Sequence, residues 1–114
     1  MQKYLFAVIC LLFFACAVPD KNAIPENVLP KDKMERILYD LHLVEGIIAV
    51  YPAQGDSNAQ RALGYYDEVY AKHQITKEEF LTSFDFYVKH PVLMDTVYTR
   101  MIERMNEEEL LLRK

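Results

Sequence analysis

The residues Thr76 to Met105, TKEEFLTSFDFYVKHPVLMDTVYTRMIERM, decide how this chain folds. Thr76-Lys77-Glu78-Glu79 is a capping box. The threonine hydroxyl accepts from the amide three residues on, and Glu79 reaches back to the threonine amide. Ile75, just before the cap, is placed to staple onto Phe80. Phe80, Leu81, Phe84, Tyr87 and Val88 then recur at steps of three and four, which predicts a helix with one buried stripe. His90-Pro91 ends it, and a proline suits the first turn of a following helix. Met94, Val97, Tyr98, Met101, Ile102 and Met105 carry the same period onward.

Two more helices precede this pair. From Lys31 to about Tyr51, Met34, Ile37, Leu38, Leu41, Val44 and Ile48 share one face. Asp32 and Glu35 near its start favour the helix dipole. Pro52 stops it, and Gln54-Gly55-Asp56 is turn chemistry. Asp56, Ser57 and Asn58 offer caps for a helix running to about His73. Its expected apolar face is Ala62, Leu63, Tyr66, Val69 and Tyr70, and one of the adjacent Tyr65 and Tyr66 should be the more exposed. Glu107 to Glu109 sit badly at the negative end of a helix, so Leu110 to Leu112 are expected to fray. The sum is a small all-α domain of four helices. Its connections are short, so sequential neighbours should run roughly antiparallel.

The start of the chain reads differently. Lys3 is followed by an unbroken apolar run from Tyr4 to Ala15, the plan of an export signal and too short for a comfortable membrane span. Residues 1–16 are read as a lipoprotein signal peptide ending at Cys16, which would be acylated. Phe13 stands where leucine is usual in a lipobox, and ordinary cleavage after Ala17 is the competing reading. Cys10 is leader filler. Residues 17–30, punctuated by Pro19, Pro25 and Pro30, read as a tether that could reach on the order of 40 Å. Ile24, Val28 and Leu29 are expected along the domain surface. Residues 31–114 form the helical domain.

Composition narrows the function. The chain has 114 residues, so one domain at most. Both cysteines lie in the leader, so no disulfide can staple the domain. The net charge of −4, or −5 once Lys3 leaves, comes with no basic block, which argues against nucleic acid as a partner. An acidic domain is not drawn to an anionic membrane, so attachment would rest on the lipid.

The order of the pieces resembles a known family. These are Leu29-Pro30, then Met34-x-x-Ile37-Leu38-x-Asp40-x-His42-x-x-Glu45, then Tyr66 to Tyr70. Lys72-His73-Gln74-Ile75-Thr76-x-x-x-Phe80, Ser83-x-x-x-Tyr87, His90-Pro91 and Tyr98 follow. Together they resemble a small lipoprotein family of Bacteroidota, domain of unknown function 4296. The resemblance implies a helical envelope lipoprotein with no assigned activity and carries over no catalytic residues.

Few residues invite chemistry. His42 and Glu45, three apart on the first helix, have a metal-site spacing, but the second helix offers too few inward ligands, so no metal or cofactor is expected. Asp40, His42 and Glu45 are instead expected to form a polar network with Tyr66 or Tyr70. His73 suits a helix end. His90 suits a cap or turn, and Ser83 should pack or bond back to its own helix. No Walker loop, zinc spacing, serine elbow or dinucleotide fingerprint occurs. Tyr39, Tyr51 and Tyr65 are candidates for a contact surface. The expectation is a non-enzymatic interaction or scaffold module, lipid-anchored in the cell envelope, leaning to the periplasmic face of the outer membrane, with an envelope protein as partner. The alternative is a small periplasmic carrier or chaperone for an apolar ligand or peptide. A cleft lined by Tyr66, Tyr70, Phe84 and Met101 would favour that alternative.

Overall fold

The computed structural model describes residues 1, 2, 4, 20–50 and 57–114. Cys10, Cys16, Tyr51 and Pro52 lie outside them, as does most of the expected signal peptide. The domain is all-α, with helices α1 (Lys31–Val50), α2 (Ser57–Lys72), α3 (Lys77–Val88) and α4 (Pro91–Leu112).

The capping box expected at Thr76 is present. Thr76 Oγ1 accepts from the Glu79 amide at 3.1 Å, and Glu79 Oε2 accepts from the Thr76 amide at 2.7 Å. Ile75 and Phe80 are both buried in the core. Pro91 opens α4, but the His90 side chain does not cap it. The His90 ring instead stacks on Phe86 with centroids 4.0 Å apart, and its Nδ1–H donates to the Phe86 carbonyl at 2.7 Å. The α2–α3 connection is a Schellman motif. The Gln74 amide donates to Ala71 O and the Ile75 amide to Tyr70 O, with Gln74 in the left-handed region at φ 56°.

The helix order departs from the antiparallel expectation. Asp32 pairs with Arg100, Glu35 with Arg104, and Tyr39 with Glu108. Both numbers rise together, so α1 and α4 run parallel. Four helices alternating up and down would oppose them. The return path is shared instead by α2, whose end meets Asp40, and by the twelve-residue α3, whose end meets Leu29.

The chain from Ile24 to Pro30 is packed rather than extended away. Val28 is 7% exposed, and Ile24 and Leu29 pack against the core. The Leu29 amide donates to Ser83 Oγ at 2.9 Å, and the Tyr87 hydroxyl donates to Leu29 O at 2.7 Å. Ser83 and Tyr87 are both fully buried. Ser83 therefore bonds to a segment 54 residues away rather than back to its own helix. A non-helical segment can be buried only where its backbone groups find partners, and these two side chains supply them.

The core is Met34, Ile37, Leu38, Leu41 and Val44 of α1, Val69 of α2, Phe80 and Tyr87 of α3, and Leu93, Val97 and Met101 of α4, with Val28 and Ile75. Its stripes are narrower than the periodicity suggests. Leu63, Leu81, Val88, Tyr98 and Ile102 are 40% exposed or more. Tyr65 and Tyr66 are both half-buried, so neither is the clearly exposed one. The end of α4 also differs from expectation: it stays helical to Leu112, with Leu110 to Leu112 exposed rather than frayed. Glu108 is held by Tyr39 and Glu109 by Arg113, which offsets the unfavourable dipole.

Candidate functional site

A cleft of about 320 Å³ opens where α2 gives way to α3, and all four helices reach it. Leu38, Leu41, His42 and Glu45 come from α1, Tyr66 and Tyr70 from α2, Phe80, Leu81 and Phe84 from α3, and Tyr98 and Met101 from α4. The aromatic wall is continuous: Tyr70 and Phe80 have centroids 5.5 Å apart, and Phe80 and Phe84 5.7 Å. Tyr66, Tyr70, Phe84 and Met101, the four residues that the sequence puts at issue, therefore do line one cleft. It exists because α2 and α3 share one return path and meet at a corner instead of closing the bundle.

The cleft continues along α1. A second, almost wholly apolar depression shares His42 and Glu45 and runs over Leu43, Gly46, Ile47 and Val50 to Met105. Leu43, Ile47 and Val50 are all at least 44% exposed. The result is an elongated greasy groove with a polar waist. At that waist His42 Nδ1 lies 3.8 Å from Glu45 Oε2, and both side chains are more than half exposed. Burial, with the nearby Tyr66 and Asp67, pushes the Tyr70 phenol above its usual range. Tyr70 therefore offers the cleft a neutral hydroxyl at physiological pH.

The expected polar network divides. His42, Glu45, Tyr66 and Tyr70 do share the cleft, but Asp40 is turned toward α2. Its Oδ2 accepts from His73 Nε2 at 2.6 Å and from Lys72 Nζ at 2.9 Å. Asp40 and His73 are 14% and 12% exposed. Burial pushes the Asp40 pKa up, but the hydrogen bonds from Lys72 and His73 outweigh it and hold the carboxyl below its usual range. The reason for the split is angular: residues 40 and 42 lie about 200° apart around a helix. Asp40 therefore ties α1 to α2 and does not serve the cleft.

The proposed contact tyrosines divide as well. Tyr39 donates to Glu108 and lies under the Arg104 guanidinium, 6.0 Å from its ring centroid, so its hydroxyl is engaged within the chain. Tyr65 is half-buried against the core beside Val44 and Val69. Tyr51 lies outside the described residues. What sequence reasoning missed is the hold of Ser83 and Tyr87 on Leu29 and the ion pair Glu35–Arg104. Only the polar interruption of an apolar stripe at Ser83 hinted at the first, and nothing local marked the second.

Among the described residues no three His, Cys, Asp or Glu side chains gather as a metal site would require, and no helix is long and apolar enough to cross a membrane. The model of the family called domain of unknown function (DUF4296) matches residues 25–110. This chain belongs to that family. The match begins within the segment that Ser83 and Tyr87 pin down and ends within α4, so the family domain takes in the docked segment as well as the helices. No curated protein and no solved structure matches the chain.

Proposed function

We propose that this DUF4296 chain is a non-enzymatic, lipid-anchored envelope protein whose domain holds an amphipathic helix of another envelope protein in its groove. The observation that carries the reading is the groove itself, walled by Tyr66, Tyr70, Phe80 and Phe84 and prolonged over Leu43, Ile47 and Val50. An elongated apolar trough with one charged waist suits a helix that brings apolar residues at steps of three and four and one cation for Glu45. Methionine and aromatic walls adapt to such side chains. The Lys3-led apolar leader and the Ala15-Cys16 step support export and acylation at Cys16. The acidic charge fits attachment through lipid rather than through the domain.

The test is site-specific photo-crosslinking in the native host. A photoreactive residue at Leu81, on the groove lip, should give a discrete adduct whose linked peptide is an amphipathic segment. The adduct should disappear with Tyr98→Glu and be absent from a probe at Thr82, which is exposed and lies about 100° further around α3 than Leu81. No adduct at Leu81, or equal adducts at both positions, would sink this reading. The mass of the mature N-terminus tests the anchor separately.

A second reading has one specific observation behind it. Tyr66, Tyr70, Phe84 and Met101 surround a space at the low end of small-ligand pockets, which begin at about 300 Å³. A small apolar ligand carried in that space would be retained in native mass spectrometry of protein purified from membranes.

A further inference from the structure

The start of α1, the end of α3 and the start of α4 meet at one end of the domain, where Tyr87 bonds Leu29 and Pro91 opens α4. Lys21 and Asn22 lie at that same end, lining a cleft with Lys89, His90, Pro91 and Val92. From Ile24 onward the chain is packed, and by Val28 it is in the core. Little of the expected 17–30 tether is therefore left to span any distance.

We propose that this end of the domain rests on a lipid bilayer surface, with Lys21, Lys89, Val88 and Val92 as its contact residues. The proposal rests on acylation of Cys16, as argued above. Lys21 is five residues on from Cys16, a span of at most about 18 Å even when fully extended. A headgroup layer takes up about 6 Å of that. The α4 helix alone is about 33 Å long, so on so short a lead the domain is held by one end. That end is suited to the interface. Val88 and Val92 are 54% and 66% exposed, and Lys21 and Lys89 can reach lipid phosphates. Asp85 lies 2.7 Å from Lys89 Nζ and offsets part of its charge, so the valines and the short lead contribute more than electrostatics. Leu110 to Leu112, at the far end of α4, then point away from the membrane.

The test uses the full lipidated protein in vesicles of phosphatidylethanolamine and phosphatidylglycerol that carry a headgroup quencher. An acylated Cys16 leaves no other thiol in the mature chain, so Val92→Cys and Leu112→Cys each take a single fluorophore. Quenching at position 92 should exceed that at 112 several-fold. Inserting fifteen Gly/Ser residues between Pro19 and Asp20 should remove most of the difference. Equal or reversed quenching in acylated protein overturns the orientation alone, and a difference that the insertion leaves untouched overturns the short lead as what holds the domain by that end. A mature chain with unmodified Cys16 overturns the anchor and this proposal with it.

Discussion

Arg104 Nε donates to Glu35 Oε1 at 2.7 Å across 69 residues of sequence, and Glu35 is only 7% exposed. The Asp32–Arg100 and Tyr39–Glu108 pairs lie one turn below and above it. This ladder sets the parallel register of α1 and α4. Glu35 and its neighbours raise the affinity of the Arg104 guanidinium for its proton, so the cation persists at every accessible pH.

Removing Arg104 should therefore cost more than a surface pair would. Arg104→Ala leaves a nearly buried carboxylate without its partner. Arg104 is 40% exposed, so water relieves part of the loss, and a destabilisation of about 2 kcal/mol is expected. Replacing both residues, as Glu35→Met with Arg104→Met, should recover most of it. Urea unfolding of the single and double variants measures both.

Tyr87→Phe should destabilise the domain by about 1–2 kcal/mol, because the half-buried Leu29 carbonyl loses its donor. Hydrogen exchange should rise first at residues 24–30, before the helices respond. Equal loosening of α1 and α4 would mean that Tyr87 supports the core in general rather than this segment.

The Asp40–His73 contact sets an acid limit. Asp40 has a folded pKa below its unfolded value, so it contributes stability above the usual carboxylate range. That contribution is lost as pH falls through the folded pKa, below about 4. In Asp40→Asn the slope of stability against pH in this acid window should flatten. At neutral pH the same variant should lose about 1–3 kcal/mol, since charge-assisted bonds to Lys72 and His73 go with it. Thermal melts between pH 3 and pH 7 separate the two effects.

Gln74 holds a backbone conformation that glycine adopts freely and other residues adopt at a cost of about 1 kcal/mol. Gln74→Gly should thus stabilise the domain by up to about 1 kcal/mol, less what the unfolded chain gains in freedom. Gln74→Val, β-branched at positive φ, should destabilise it. Chemical denaturation decides the signs.

Helix positions, the Thr76 box and the Pro91 start were all readable from residues a few positions apart, because capping and amphipathic period are local properties. The aromatic and methionine residues of the cleft were named from their helical faces alone. What those faces pack against was not readable. The sequence predicts an alternating bundle, and that prediction fails at α3, which carries on from Asp40 toward Leu29 in the direction of α2 instead of reversing it. Leu29, Ser83 and Tyr87 look unremarkable one by one and matter only because the fold brings residues 54 and 58 positions apart into hydrogen-bond contact. The split of Asp40 from His42 and Glu45 was legible in principle from the 100° step of the helix, but the side on which α2 lies was not. By itself, then, the sequence determined the helices, their ends and the apolar character of their faces. Only the tertiary structure decided the parallel pairing of α1 with α4, the docking of residues 24–30 and the open groove, because each depends on distant groups whose pairing is chosen by what can be buried together.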